Sequence, residues 1–103
     1  MKIFGSSKDF IKGNDIEWEI VGKGLKRKIM GYDDKIMLVK VFFDKGAVGE
    51  LHKHHHSQVT YVESGSFDVT ISGQTKTLVC GDSFYIRPNE LHGAICTESG
   101  VLI

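Results

Sequence analysis

The histidines of this chain are confined to two places, and their spacing constrains the fold more than any other feature of the sequence. Four of the five lie between Gly46 and Gly65. They are His52, His54, His55 and His56. The fifth, His92, follows a Gly-Asp pair and the single proline. Alternate residues of a strand point to the same face, about 6.5–7 Å apart. His52 and His54 can therefore converge on one ion, and His92 can add a third nitrogen from another strand.

Gln58 can add an amide oxygen to these imidazoles once the chain has turned back. Three nitrogens, one neutral oxygen and room for water or substrate suit one borderline divalent transition metal per chain, such as Ni, Zn, Mn or Fe. A cluster of histidines can also form a solvated turn or a pH-sensitive patch. An expression tag does not account for it well, because tags sit at a terminus and this cluster lies mid-chain between two apolar runs.

Short strands account for much of the remaining sequence. Two runs of residues, Leu25–Tyr32 and Ile36–Phe43, are separated by two aspartates and predict a hairpin. The second run is nearly continuous in apolar residues, which predicts a strand covered on both faces. A strand at 59–62 is predicted to end at Gly65, and the next, at 67–71, alternates apolar and polar residues. With no helical periodicity, roughly seven to nine short strands predict an all-β sandwich or small barrel.

Composition limits the classes of function. A chain of 103 residues with 13 basic and 13 acidic side chains carries no net field that favours nucleic acid or an anionic membrane. No long apolar run or basic-then-apolar leader is present, so we expect a cytoplasmic protein. The two cysteines, Cys80 and Cys96, are too few and too far apart for a disulfide scaffold. We interpret both as reduced thiols.

Two motifs surround the histidines. The first consists of Gly46, His52, His54, Gln58 and Gly65. The second consists of Gly81, Asp82, Ile86, Pro88 and His92. Together, at this spacing, they resemble the two signatures of the cupin family. The resemblance implies a double-stranded β-helix, the jelly-roll barrel, whose mouth brings ligand groups from different strands together. Asn89 stands where many relatives have glycine, and asparagine tolerates the same left-handed turn conformation.

Further segments extend the similarity over most of the chain. They are Trp18-Glu19, Gly24-Leu25-Lys26-Arg27, Met30-Gly31-Tyr32, Met37-Leu38-Val39-Lys40-Val41, Gln58-Val59-Thr60-Tyr61-Val62, His92-Gly93 and Gly100-Val101-Leu102-Ile103. Together they resemble the small KdgF-type cupins of pectin and alginate degradation. The resemblance implies a single cupin domain over 1–103, with an N-terminal strand segment at 1–34 and the barrel at 35–103.

Members of the KdgF type linearise 4,5-unsaturated monouronates to 5-keto-4-deoxyuronates. The metal ligands that the resemblance implies here are His52, His54, Gln58 and His92. Cupins more often carry Glu or His at the position of Gln58. An amide in place of an anion leaves a bound metal more positive, and therefore a better Lewis acid toward an anionic substrate.

One departure from the family pattern concerns proton transfer. KdgF-type chains continue past the position of Ile103 into an Asp-x-Phe segment of catalytic importance, and this sequence stops there. Either the chain is a truncated form or the acid-base group comes from elsewhere, with His56 and Tyr61 as candidates. Arg27 and Arg87 are candidates for bidentate pairing with a substrate carboxylate. For both arginines, an ordinary surface position is the alternative.

Two other functions stay open at this point. A metal-bound cupin with free coordination positions is also suited to a dioxygenase of small molecules. A third possibility is a sensor or binding module without chemistry. We expect a small anionic molecule as the partner in each case, and we expect the chain to form a homodimer. The apolar strands near the N-terminus and the missing continuation after Ile103 leave an edge or groove uncovered.

Overall fold

Eight antiparallel strands make up almost all the regular structure in a computed structural model, which describes residues 5–103. The strands are β1 (Glu19–Gly22), β2 (Leu25–Tyr32), β3 (Met37–Phe43), β4 (Val48–His52), β5 (Gln58–Ile71), β6 (Gln74–Val79), β7 (Ser83–Ile86) and β8 (His92–Leu102). One turn of 3-10 helix, Gly13–Asp15, precedes them. Across residues 5–103, no helix is long and apolar enough to cross a membrane. The all-β prediction is confirmed.

Two long strands, β5 and β8, organise the sheet. The main order is β1-β2-β3-β8-β5-β6, while β4 pairs with β8 and β7 pairs with β5. β8 therefore contacts β3, β4 and β5, and β5 contacts β6, β7 and β8. This connection of antiparallel strands across two central partners is the jelly-roll arrangement. β1 and β2, which belong to the predicted 1–34 segment, continue the same sheet, and residues 1–4 lie outside the described part.

The predicted break at Gly65 is wrong, because β5 runs without interruption from Gln58 to Ile71. Its pairing with β8 shifts register three times between Val62 and Phe67. Gly65 has φ +84° there, and a Cβ at this position would lie 2.5 Å from the carbonyl oxygen of Glu98. Only glycine fits this close backbone approach and left-handed conformation. The glycine therefore bends the strand instead of ending it, so that one strand serves both sides of the barrel.

The core lies where β3, β5 and β8 face one another. Its buried members are Phe43, Ala47, Val62, Phe67, Val69, Cys96 and Leu102. The rings of Phe43 and Phe67 meet edge to face, with their centroids 5.1 Å apart. Because alternate residues of a strand share a face, Thr60 and Gln58 lie on the same inward face of β5 as Val62. The apolar core thus continues directly into a polar end of the barrel.

The expectation that β3 is covered on both faces is also wrong. Phe43 is buried on the inner face, but Leu38 is 49% exposed, and Ile36, just before the strand, is 74% exposed. Lys40 lies on the same face as these two residues and forms an ion pair with Glu63 at 3.7 Å. A continuous apolar run does not distinguish a strand that is buried on two faces from a strand that leaves apolar side chains exposed on its outer face.

Candidate metal centre

Three histidines converge at the polar end of the barrel from two strands and a loop. His52 is the last residue of β4 and lies directly opposite His92, the first residue of β8. Their ring centroids are 4.3 Å apart. His54 lies two residues beyond the end of β4, so the predicted same-strand geometry does not apply to it. Its carbonyl oxygen instead accepts a hydrogen bond from the backbone N–H of Asn89 at 2.7 Å. One ligand atom from each histidine lies within 4.8 Å of the others.

Backbone carbonyls define which imidazole nitrogen is available. Nδ1 of His52 lies 2.8 Å from the carbonyl oxygen of Glu50, and Nδ1 of His92 lies 2.8 Å from that of Glu90. Nδ1 of His54 lies 2.8 Å from the carbonyl oxygen of His56. A carbonyl accepts only, so each neutral ring must carry its proton on Nδ1 and keep the Nε2 lone pair free. This pattern of hydrogen bonds orients histidines that ligate metals.

Gln58 completes the set from the first position of β5. Its Oε1 lies 3.0 Å from Nε2 of His54, while its own Nε2 donates to Oγ1 of Thr60 at 2.9 Å. Neighbouring ligand atoms around one transition-metal ion, each about 2.1 Å from it, lie about 3.0–3.4 Å apart. The 3.0 Å between His54 and Gln58 lies within this range.

His92 supplies the strongest sign that the residues fit a metal ion. Its side chain is only 4% exposed. Among residues 5–103, its Nε2 is the buried side-chain nitrogen or oxygen without a hydrogen-bond partner. Burial lowers the pKa of His92, with smaller contributions from His52 and His54 in the same direction. An orphaned, neutral, buried nitrogen aimed at two other imidazoles is costly unless an ion uses its lone pair. The three histidines are positioned to bind a metal ion.

His56 lies against this cluster without joining it. Its ring stacks on that of His54, with a centroid separation of 4.1 Å and an interplanar angle of 5°. Partial burial lowers the pKa of His56, and the neighbouring His54 lowers it further. His55 is exposed and meets the edge of His56 at 5.6 Å. Of the five histidines, His56 is thus the one placed beside the candidate ligands with a solvent-facing ring.

The other candidates from the sequence occupy different surroundings. Tyr61 is 47% exposed and lies on the opposite face of β5 from Gln58 and Thr60. Arg27 lies opposite Val41 on the inner face of the sheet, and its Nε donates to Oε1 of Glu19 at 2.6 Å. Arg87 is a surface residue, with its guanidinium 5.2 Å from the ring centroid of Tyr85 and 3.9 Å from the carboxylate of Glu90.

Three residues that sequence reasoning gave no role at the site support it. Thr60 holds the amide of Gln58. Asn89, whose φ of 63° agrees with the predicted left-handed turn, holds His54 through its N–H. The carboxylate of Glu90 accepts hydrogen bonds from the Arg87 N–H and from the Ser72 hydroxyl, while its carbonyl orients His92. The only available signal was position, since each lies within two residues of a candidate ligand or of the proline turn.

Comparison with known proteins agrees with this geometry. A model of the cupin domain matches residues 39–103. The pectin degradation protein KdgF of Dickeya dadantii is 43% identical over 91 residues, which cover 87% of this chain and 83% of that protein. The chain belongs to the KdgF-type cupins. Both resemblances predicted from the sequence are thereby confirmed.

Two solved structures extend the comparison to three dimensions. An RmlC-like cupin from Shewanella frigidimarina superposes with a TM-score of 0.93 at 45% identity, covering 96% of this chain and 89% of that one. KdgF from Halomonas sp. superposes with a TM-score of 0.87 at 36% identity, covering 93% and 90%. The similarity therefore includes nearly the whole arrangement of strands in this KdgF-type cupin.

Proposed function

We propose that this cupin linearises a 4,5-unsaturated monouronate to a 5-keto-4-deoxyuronate at a single divalent metal site. The observation that carries the proposal is the convergence of the buried, unpartnered Nε2 of His92 with His52, His54 and Gln58. The similarity to a pectin degradation protein supports a sugar-acid substrate. A metal bound to these four residues would act as a Lewis acid toward the carboxylate or ring oxygen of the substrate.

The charge of the site supports an anionic substrate. The four proposed ligands are three imidazoles and one amide, and none of them carries a negative charge when neutral. The lowered pKa of His92 keeps that ligand unprotonated near neutral pH. No ligand charge offsets that of a divalent ion, so a carboxylate substrate is attracted to the site more strongly than at a glutamate-containing one.

The reaction needs only proton movements. The hemiacetal hydroxyl on C1 loses its proton, the bond between C1 and the ring oxygen breaks, and C1 becomes an aldehyde. The ring oxygen keeps the electron pair as the enolate of C5, and C4 then takes up a proton to give the 5-keto product. His56 is the proposed proton-transfer group, since its lowered pKa keeps the ring neutral and it stacks on His54. A general acid or base of this kind contributes about 10²–10⁴-fold.

Recognition of the substrate carboxylate is assigned to Arg27 in preference to Arg87. Arg27 lies on the inner face of the sheet, whereas the Arg87 side chain is 68% exposed. The existing pair with Glu19 holds the Arg27 guanidinium in place, and a substrate carboxylate would have to share or displace that contact.

Exposed Cys80 and buried Cys96 are both free thiols, and we propose the cytoplasm as the compartment.

The deciding assay follows the ultraviolet absorbance of the conjugated double bond as the unsaturated uronate is consumed. Nuclear magnetic resonance of the product identifies the new C5 ketone. Chelator-treated protein and the His52→Ala/His92→Ala variant are the controls, and we expect both to lose activity. Equal rates with and without metal would exclude the metal-assisted reaction. Oxygen consumption with a dihydroxylated or diketone substrate would instead favour a dioxygenase.

A further inference from the structure

The amide of Gln58 can face the histidines in two ways, and only one of them suits a metal ion. An amide has an oxygen acceptor at one end and an NH₂ donor at the other. With the oxygen toward Nε2 of His54, both atoms offer lone pairs to a common point. With the nitrogen there, an N–H would occupy the lone pair of His54 and no oxygen would reach the ion. The usefulness of Gln58 as a ligand therefore depends on what holds its other end.

Thr60 holds that other end. Its Oγ1 accepts a hydrogen bond from Nε2 of Gln58 at 2.9 Å. Thr60 is only 6% exposed, and it lies opposite Phe84 on β7, as Gln58 lies opposite the fully buried Ile86. The hydroxyl is therefore anchored by two packed strands rather than by a mobile loop. Because Gln58 and Thr60 are alternate residues on one face of β5, the contact follows directly from the strand.

We propose that Thr60 is a positioning residue that holds the amide of Gln58 beside His54, by accepting a hydrogen bond from its nitrogen while its oxygen faces the metal ion. The proposal deepens the proposed function, because it rests on metal binding at this site. A carboxylate at position 58 would present an oxygen in either orientation, so it would not need such an anchor. The neutral ligand thus depends on a buried hydroxyl two residues away.

Thr60→Val and Thr60→Ser test the role of the hydroxyl. Valine keeps nearly the same shape and removes the acceptor, whereas serine keeps it. Ni²⁺ and Zn²⁺ affinities are measured by titration calorimetry with a competing chelator on otherwise metal-free protein. We expect the affinity to fall about 10–100-fold in Thr60→Val, the usual cost of losing a hydrogen bond that orients a ligand, and less than about threefold in Thr60→Ser. The visible absorption bands of bound Co²⁺ should shift in Thr60→Val alone.

A double-mutant cycle with Gln58→Glu separates orientation from packing. In the Gln58→Glu background both oxygens of residue 58 can ligate, so adding Thr60→Val should change the affinity less than about threefold. A general packing defect would lower the affinity equally in both backgrounds. Thermal unfolding of each variant checks that it is folded at the titration temperature, and Thr60→Ala replaces Thr60→Val in the cycle if the valine variant does not fold.

The outcomes distinguish this proposal from the proposed function. A wild-type protein that binds none of these ions overturns both. A wild-type protein that binds tightly, with unchanged affinity in Thr60→Val, overturns only the role of Thr60. The same conclusion follows if Thr60→Val weakens binding equally beside Gln58 and beside Glu at position 58.

Discussion

The histidine pocket, which consists of His52, His54, His92 and Gln58, differs from the outer face of the β1–β2–β3 sheet in the contacts that its side chains make. In the pocket, three Nδ1 atoms each lie 2.8 Å from a backbone carbonyl oxygen, and a buried hydroxyl holds Gln58. The outer face consists of Trp18, Ile20, Lys26, Lys28, Leu38, Lys40 and Phe42. On that face Ile20 is 82% and Leu38 is 49% exposed. Contacts within the chain orient the side chains of the pocket and leave the Nε2 lone pairs of its histidines available, whereas the outer face leaves apolar area uncovered.

This difference indicates which kind of contact each region lacks. An unpartnered buried nitrogen is satisfied by one ion at one point, so the pocket requires close geometry. An exposed apolar face can be covered by any surface of matching shape, and the stabilisation depends on the apolar area that is buried. The two regions should therefore respond to substitution independently, with metal binding changed by one set of variants and association of chains by the other.

The largest expected effect is loss of metal binding in His52→Ala/His92→Ala. Removing two imidazoles should lower the affinity for Ni²⁺ or Zn²⁺ by more than about 100-fold, the upper range for merely disturbing an orienting contact. Elemental analysis of protein purified without a histidine tag, followed by calorimetric titration, measures this. Ile20→Ser is the matched control, and its metal content should equal that of the wild type. Unchanged metal content in the double variant would contradict the site.

Sequence reasoning found the candidate ligands because their chemistry is local to two motifs. His52, His54 and Gln58 lie within seven positions, and only His92 had to be brought from another strand. The pairing of β4 with β8, which places His92 opposite His52, depends on long-range contacts that spacing alone does not encode. The resemblance to cupins implied that His92 joins the ligands, but it did not give this pairing.

The supporting residues and the strand bend were beyond that reasoning. Thr60 looks like an ordinary strand residue until its hydroxyl is seen beside Gln58. Gly65 looks like a turn, because the left-handed conformation that glycine favours also occurs in strand bulges. Here the hydrogen bonds from β8 continue past Gly65, so the tertiary contact overrides the local signal for a turn.

The second expected effect is a change in the number of associated chains. We predict that the wild type is a homodimer at about 50 µM and that Ile20→Lys/Leu38→Lys shifts it to a monomer, because a charged pair on an apolar contact surface is costly to bury. Light scattering coupled to size exclusion measures both. Metal affinity should stay within about twofold of the wild type. A wild-type monomer at this concentration would contradict the prediction.

The third effect is a pH dependence that belongs to the pocket. Burial lowers the pKa of His92 below its ordinary value of 6.5, so the unfolded chain takes up a proton at a higher pH than the native protein does. The stability of chelator-treated protein should therefore be full above about pH 6.5 and fall as the pH drops below it. His56 contributes in the same direction.

The measurement compares denaturant midpoints between about pH 7.5 and 5.5, a window that lies above the titration of ordinary carboxylates. The difference between the two ends should shrink in His92→Gln, which cannot be protonated, and shrink further when His56→Gln is added. Ile20→Ser should leave the difference as it is in the wild type. An equally large pH dependence in the double glutamine variant would show that neither His92 nor His56 is its origin.

The smallest effect concerns the lysines of the outer face. Nζ of Lys26 lies 4.8 Å from the ring centroid of Trp18 and 5.0 Å from that of Phe42, and Nζ of Lys28 lies 4.9 Å from Trp18. Lys26→Met keeps the aliphatic stem and removes the charge. We expect it to lower the free energy of unfolding by about 0.5–1 kcal/mol, the range for exposed cation–π contacts. Lys26→Arg keeps the cation and should retain most of that stability.

Both lysine variants are measured on chelator-treated protein at the same concentration as the wild type, since association would add to apparent stability. If Lys26→Met is as stable as the wild type, the stem alone covers the aromatic rings and the charge contributes nothing. If Lys26→Arg loses as much as Lys26→Met, the geometry of the ammonium matters more than its charge. In either variant the metal affinity should stay unchanged, because Lys26 lies on the face of the sheet opposite to the core. A change in metal affinity would show that the two regions are coupled through the barrel.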